Sequence, residues 1–201
     1  MVHRFAAAAL ICAALPVAAA DFSDPTWPCV QRKVDRLSVG LMWPHPVPEA
    51  MPQDAAVASD IAELAGKLAL RRIDPADLAP DIAAFADAHA GNPDLLGLVF
   101  SEVFDSLSQR RTRIIDGIGD FSLSQIALSD RIEGARQEMS TLMASEAPDY
   151  DRIDALEEQI DWDQIIFSDR QKSIQYLCET PTLLEKRIYS IAQLLLHEAN
   201  S

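Results

Sequence analysis

The sequence predicts an all-α protein with three parts: a small helical body, a long antiparallel helical hairpin forming a coiled-coil-like arm, and a Pro-rich N-terminal strap. From residue 54 onward the apolar residues recur at helical spacing, and no stretch shows the sustained alternation of a half-buried strand. Between Pro93 and Pro148 the chain has no proline, a span far longer than a usual globular helix. The predicted parts are a strap over 21–53, a body formed by 54–116 with 179–201, and a hairpin over 117–178.

The first twenty residues are typical of a secretory signal peptide. His3 and Arg4 precede an apolar run from Phe5 to Leu15, and three alanines end the segment at Ala20. The run is shorter than the roughly 20 residues that cross a bilayer. We therefore expect residues 1–20 to direct secretion across an inner membrane into a periplasm, and to leave no integral membrane segment.

Charge and motif content exclude several classes of function. The chain has 17 Lys and Arg against 31 Asp and Glu, a net charge of -14, which disfavours nucleic acid and anionic lipid as partners. The sequence contains no GxSxG, HExxH, Walker or GxGxxG motif and no zinc-type spacing. We predict no catalytic residue and no cofactor, and an enzyme is the less favoured class.

Cys29 and Cys178 are predicted to form a disulfide that ties the strap to the helices. Six prolines between residues 21 and 52 prevent regular helix across most of the strap, so this segment needs an anchor. A redox pair or a soft-metal site is the alternative, but the cysteines lack CxxC spacing.

Capping residues predict where the body helices begin and end. Asp54 suits the start of a first helix, and Arg71 and Arg72 suit its C-terminus. Three pairs of a capping residue followed by proline predict the starts of further helices: Asp74-Pro75, Asn92-Pro93 and Thr180-Pro181. Gly91 predicts the end of the helix before Asn92-Pro93.

Apolar residues seven apart predict the hairpin and its register. One row runs from Phe100 to Leu142, and a second, after Pro148, runs from Ile153 to Ile174. If residue i faces residue 295 - i, four apolar pairs form together: Leu142 with Ile153, Ala135 with Ile160, Leu128 with Phe167, and Phe121 with Ile174. Gly117 and Gly119 then lie near the base of the arm, where either a hinge or close packing explains them.

Trp162, Ile165 and Ile166 are the candidate partner-contact residues. They lie off the apolar row of their helix, so a hairpin of two helices leaves them partly exposed. We expect this edge to bind a protein partner or a second copy of the chain.

Metal binding is the alternative function. Met42, His45 and Met51 offer thioether and imidazole ligands that suit Cu(I), although Leu41, Met42 and Trp43 also read as apolar anchors of the strap. Seven carboxylates near the hairpin tip are candidates for calcium, or else cap a helix and form a solvated face: Asp149, Asp151, Asp154, Glu157, Glu158, Asp161 and Asp163.

The layout resembles periplasmic proteins with helical-hairpin arms, including tentacled chaperones. Those chaperones are typically basic where they face clients, whereas this arm is acidic, so their activity is not carried over. The sequence favours a secreted or periplasmic helical interaction or scaffold protein, with a copper-binding, calcium-binding or sensory module as the alternative.

Overall fold

The structure is a computed structural model that describes residues 23–200, and this part of the chain is all-α, as predicted. Four α-helices follow one another: α1 (Ala55–Leu68), α2 (Ala79–Ala88), α3 (Pro93–Met143) and α4 (Tyr150–Ala199). Short 3-10 turns occupy Val39–Leu41 and Pro75–Leu78, and no strand occurs among these residues. The predicted signal peptide, residues 1–20, lies outside the described residues.

Side-chain caps begin the elements at the predicted positions. The Asp54 carboxylate accepts from the backbone N–H of Ala56 at 2.9 Å and begins α1. Asp74 does the same for the turn that leads into α2, and Asn92 for α3. Gly91, at φ 63°, follows the end of α2, where a residue without Cβ adopts the left-handed region at little cost.

Helices α3 and α4 form the antiparallel hairpin, joined by the short loop 144–149. Arg131 bonds to Asp163, one residue from the position that the predicted register places opposite it, and Gln125 donates to the Phe167 carbonyl at 3.2 Å, within one turn of that register. Leu128 shares one buried cluster with Ala135 and Ile160, and the partly buried Phe167 packs against it. The heptad rows therefore predicted the pairing of the helices to within about one turn.

The prediction of a separate last helix beginning at Thr180-Pro181 is wrong, because α4 continues through Pro181. A proline inside a helix costs about 3 kcal/mol or more through the lost hydrogen bond and a steric clash. The residues beyond it bury a whole apolar face, which offsets that cost: Leu184, Ile188, Ile191 and Leu195.

Helix α3 passes without interruption through Gly117 and Gly119. A Cβ built on Gly119 lies 3.4 Å from the Thr26 Cβ, so this glycine packs closely against the strap. Gly117 is exposed and has open space around it. Close packing thus accounts for Gly119, though its partner is the strap and not a helix.

The main hydrophobic core lies where α1 and α2 pack against the N-terminal part of α3 and the C-terminal part of α4. Trp43 of the strap enters this core, with its ring stacked on Phe100 at a centroid distance of 5.3 Å. Gly97 makes room for it, since a Cβ there meets the Trp43 Nε1 at 3.3 Å.

The Cys29–Cys178 disulfide is present and joins the strap to α4, with the two Cα atoms 5.5 Å apart. Trp27 is buried beside it and donates its indole N–H to the Gln31 carbonyl at 2.6 Å. Trp43 forms the second anchor. The prediction that Leu41 also anchors the strap is wrong, because its side chain is exposed in the 3-10 turn.

Candidate interaction site

The outer face of the arm carries the predicted contact residues as exposed apolar side chains. Trp162 is 60% exposed, Ile165 54% and Ile166 40%, all on α4. The side of α4 that packs on α3 carries a different set, Leu156, Ile160 and Phe167. We call Trp162, Ile165 and Ile166 the arm patch.

Carboxylates surround the arm patch. Trp162 and Ile165 line a shallow surface depression of about 460 Å³, together with Asp154, Glu157, Glu158 and Asp161. All four acidic side chains are exposed and extend along two turns of α4 before Trp162. The patch therefore combines an apolar centre with an anionic border.

Asp163 does not belong to a solvated acidic face, and that part of the prediction is wrong. Its side chain is 7% exposed and makes a two-point ion pair with Arg131 of α3, in which Arg131 Nε donates to Oδ2 at 2.7 Å. This hydrogen bond and the attraction of the carboxylate raise the pKa of the Arg131 guanidinium. The pair joins the two helices directly behind the arm patch.

The acidic cluster at the hairpin tip does not come together as a cation site. No group of three or more His, Cys, Asp or Glu side chains placed to hold a metal occurs within residues 23–200. Asp149 caps α4 by accepting from the Arg152 N–H at 3.1 Å. Arg152 also bonds to Glu138 across the tip, which raises the pKa of its guanidinium.

The three proposed copper ligands lie in different environments along the strap. Met42 packs against the main core, and the His45 ring contacts the edge of Trp43 at a centroid distance of 5.8 Å. Met51 is 38% exposed. Packing thus accounts for Met42 and His45, and Cu(I) binding by the three stays a prediction that equilibrium dialysis with Cu(I) would test.

His89 lies at the C-terminal end of α2. Its ring packs on Phe85, and Nε2 lies 3.2 Å from a carboxylate oxygen of Asp60 in α1. This contact joins α1 and α2, so His89 has a structural role.

A second surface feature, not predicted from the sequence, lies where α4 passes the loop between α1 and α2. It is a groove of about 660 Å³ lined on α4 by Leu183, Lys186 and Tyr189, and on the loop by Arg71 and Asp74. Arg187 also lines the groove, although it is a buried residue. We call it the basic groove. Sequence spacing does not reveal it, because Arg71 and Lys186 are more than a hundred residues apart.

None of the helices in the described part of the chain has an apolar stretch sufficient to cross a bilayer. A search of family models, of characterised proteins and of solved structures found no match to this chain.

Proposed function

We propose that this protein is a secreted or periplasmic helical interaction protein that binds a protein partner through the arm patch. The observation that carries the proposal is the exposure of Trp162, Ile165 and Ile166 side by side on a hairpin of two helices. Single exposed apolar residues are common, but a contiguous group that includes a tryptophan is typical of a protein contact.

The energetics support a protein contact. Full burial of one large apolar side chain contributes about 1.5–3 kcal/mol, so covering the patch would stabilise a complex by several kcal/mol. The arm also holds the patch away from the disulfide at its base, because Trp162 lies sixteen residues from Cys178 along one helix, a distance of about 24 Å.

The anionic border indicates the chemistry of the partner. A surface that places an apolar side chain between Lys or Arg residues would complement Trp162 and the carboxylates of Glu158 and Asp161. The disulfide fits an extracellular or periplasmic location, where thiols oxidise.

The experiment is site-specific photo-crosslinking in intact cells that export the protein. A benzoylphenylalanine replaces Ile165 on the arm patch, and the matched control carries it at Gln137, an exposed residue of α3. We expect a discrete crosslinked species from position 165, none from position 137, and loss of the species on adding Trp162→Asp.

Leu123→Asp is the control for that substitution, because Leu123 is an exposed apolar residue of the same arm on α3. It should leave the crosslink intact. An absence of crosslinks from position 165, or equal crosslinks from positions 165 and 137, would show that the arm patch is not an interaction surface.

A further inference from the structure

One row of exposed residues on α4 is spaced at alternating steps of three and four. Trp162, Tyr176 and Leu183 lie seven or fourteen residues apart, and Ile165 follows Trp162 by three. The exposed fractions of Tyr176 and Leu183 are 74% and 51%. The nine positions of this outer seam are all exposed: Trp162, Ile165, Asp169, Lys172, Tyr176, Glu179, Leu183, Lys186 and Ser190.

This spacing places the seam on one side of α4 for about 40 Å. It begins in the arm patch and ends in the basic groove, so the two surface features lie on the same side of the same helix. Both contain apolar side chains that another helix would cover, Trp162 and Ile165 at one end and Leu183 at the other.

The two ends of the seam carry opposite charge. Asp154, Glu157, Glu158 and Asp161 border the arm patch, whereas the exposed cations Arg71 and Lys186 outnumber Asp74 in the basic groove. Such a surface repels a copy of itself laid parallel and attracts one laid antiparallel, since each acidic end then meets a basic end.

We propose that the outer seam binds a second copy of this chain, with the two α4 helices antiparallel about a two-fold axis near Ile174. The proposal rests on the proposed function and names the partner of the arm patch. A two-fold interface uses the same surface on both chains, so each favourable contact forms twice.

The position of the axis sets the register of the pair. With the axis near Ile174, Trp162 faces the partner's Lys186, and Ile165 faces the partner's Leu183. The first pair places a cation on an aromatic ring and the second covers two exposed apolar side chains. Asp169 faces the partner's Glu179, and this like-charge contact is moderated because Asp169 already bonds to Lys172 at 3.1 Å.

The test uses two charge-reversed forms of the oxidised full chain and sedimentation velocity. One form carries Glu158→Lys with Asp161→Lys, and the other carries Arg71→Glu with Lys186→Glu. All four residues are exposed, so the helical circular dichroism should be unchanged. We expect the wild type to dimerise and each form alone to self-associate at least about tenfold more weakly.

Mixing the two forms should restore the dimer. The arm of the first form, in which lysines replace two of the four border carboxylates, then meets the acidic groove of the second form, and the acidic arm of the second meets the basic groove of the first. A wild type that stays monomeric as its concentration rises would overturn the proposal, as would a dimer that none of the reversals weakens or a mixture that stays monomeric.

Photo-crosslinking separates this failure from failure of the proposed function. If the wild type is monomeric while position 165 crosslinks to a different protein, the self-association proposal is wrong and the arm patch remains an interaction surface. If position 165 crosslinks to nothing as well, both proposals are wrong.

Discussion

Arg187 shows how a single residue can depend on contacts that sequence spacing does not reveal. The sequence predicted that Arg71 and Arg72 would complement the C-terminus of α1. The structure instead brings Arg187 from α4, where it donates to the Leu68 carbonyl at 3.0 and 2.6 Å and to the Ile73 carbonyl at 2.6 Å. Desolvation by burial lowers the pKa of this guanidinium. Because Arg187 lies 119 residues from Leu68 along the chain, no local sequence pattern predicts that it caps the C-terminus of α1.

Replacing Arg187 with Met should destabilise the fold by about 2–4 kcal/mol, because it leaves buried carbonyls without donors. The measurement is urea unfolding of the oxidised protein. Arg72→Ala is the control, since Arg72 is exposed in the same region, and it should change the free energy of unfolding by less than about 0.5 kcal/mol. Equal effects of the two substitutions would refute the capping role of Arg187.

Asp24 forms a small hydrogen-bonded unit at the start of the strap. The Thr26 hydroxyl, the Thr26 backbone N–H and Lys33 lower the pKa of the Asp24 carboxyl from 3.8 to about 2, in that order of effect. The stabilisation is therefore complete above the unfolded pKa, near pH 3.8, and is lost as pH falls through about 2.

Carboxyl-detected NMR should show Asp24 titrating near pH 2, and Thr26→Ala should raise its pKa more than Lys33→Met does. The reason is that the hydroxyl of Thr26, 2.6 Å from the carboxylate, is the larger influence. Titration of Asp24 near 3.8 in the wild type would show that this unit does not form.

At the scale of the elements, the sequence predicts the hairpin well and the end of its second helix poorly. Heptad rows identify the packed sides of α3 and α4, because the same spacing determines which residues face the other helix. The sequence predicts a helix start at Pro181, but the structure places this proline inside α4. The residues around a proline at a first helical position can be the same as those around a proline inside a well-packed helix. Burial of Leu184 and Ile188 decides between them, and burial depends on the tertiary fold.

Gly117 should limit the stability of α3. Gly117→Ala should increase the free energy of unfolding by up to about 1 kcal/mol, because the helix is continuous there and the added methyl group meets open space. Gly91→Ala is the contrasting control and should decrease stability, since Gly91 has a φ of 63°. Thermal unfolding monitored by circular dichroism measures both. A destabilising Gly117→Ala would indicate that the helix needs to bend at this position.

At the scale of the whole molecule, two buried tryptophans and one disulfide hold the strap on the helices. The sequence predicted the disulfide and the anchoring by Trp43, because a proline-rich segment that cannot form regular helix needs a cysteine and an apolar side chain to hold it on the helices. It also identified the exposed arm patch. The basic groove escaped prediction because it forms between a loop and a helix that only the fold brings together.

Reduction of the Cys29–Cys178 disulfide should release residues 23–37 of the strap without unfolding the helices. In the chain-entropy model, loss of a crosslink across 149 residues lowers stability by at most roughly 5 kcal/mol. Limited proteolysis after reduction should cut within residues 23–37, while Trp43 stays buried and far-ultraviolet circular dichroism is retained. Simultaneous loss of helix and strap would contradict separate anchoring by Trp43 and by the disulfide.

Both proposed interactions require that the outer face of α4 is covered when the protein functions. Fluorine NMR of 5-fluorotryptophan-labelled protein tests this directly, because Trp27 and Trp43 are buried within the chain and Trp162 is exposed. On passing from dilute buffer to concentrated solution or to the native compartment, the Trp162 resonance should shift and lose its solvent response, while those of Trp27 and Trp43 stay unchanged. A Trp162 resonance that keeps its solvent response under all of these conditions would contradict an interaction through the arm patch.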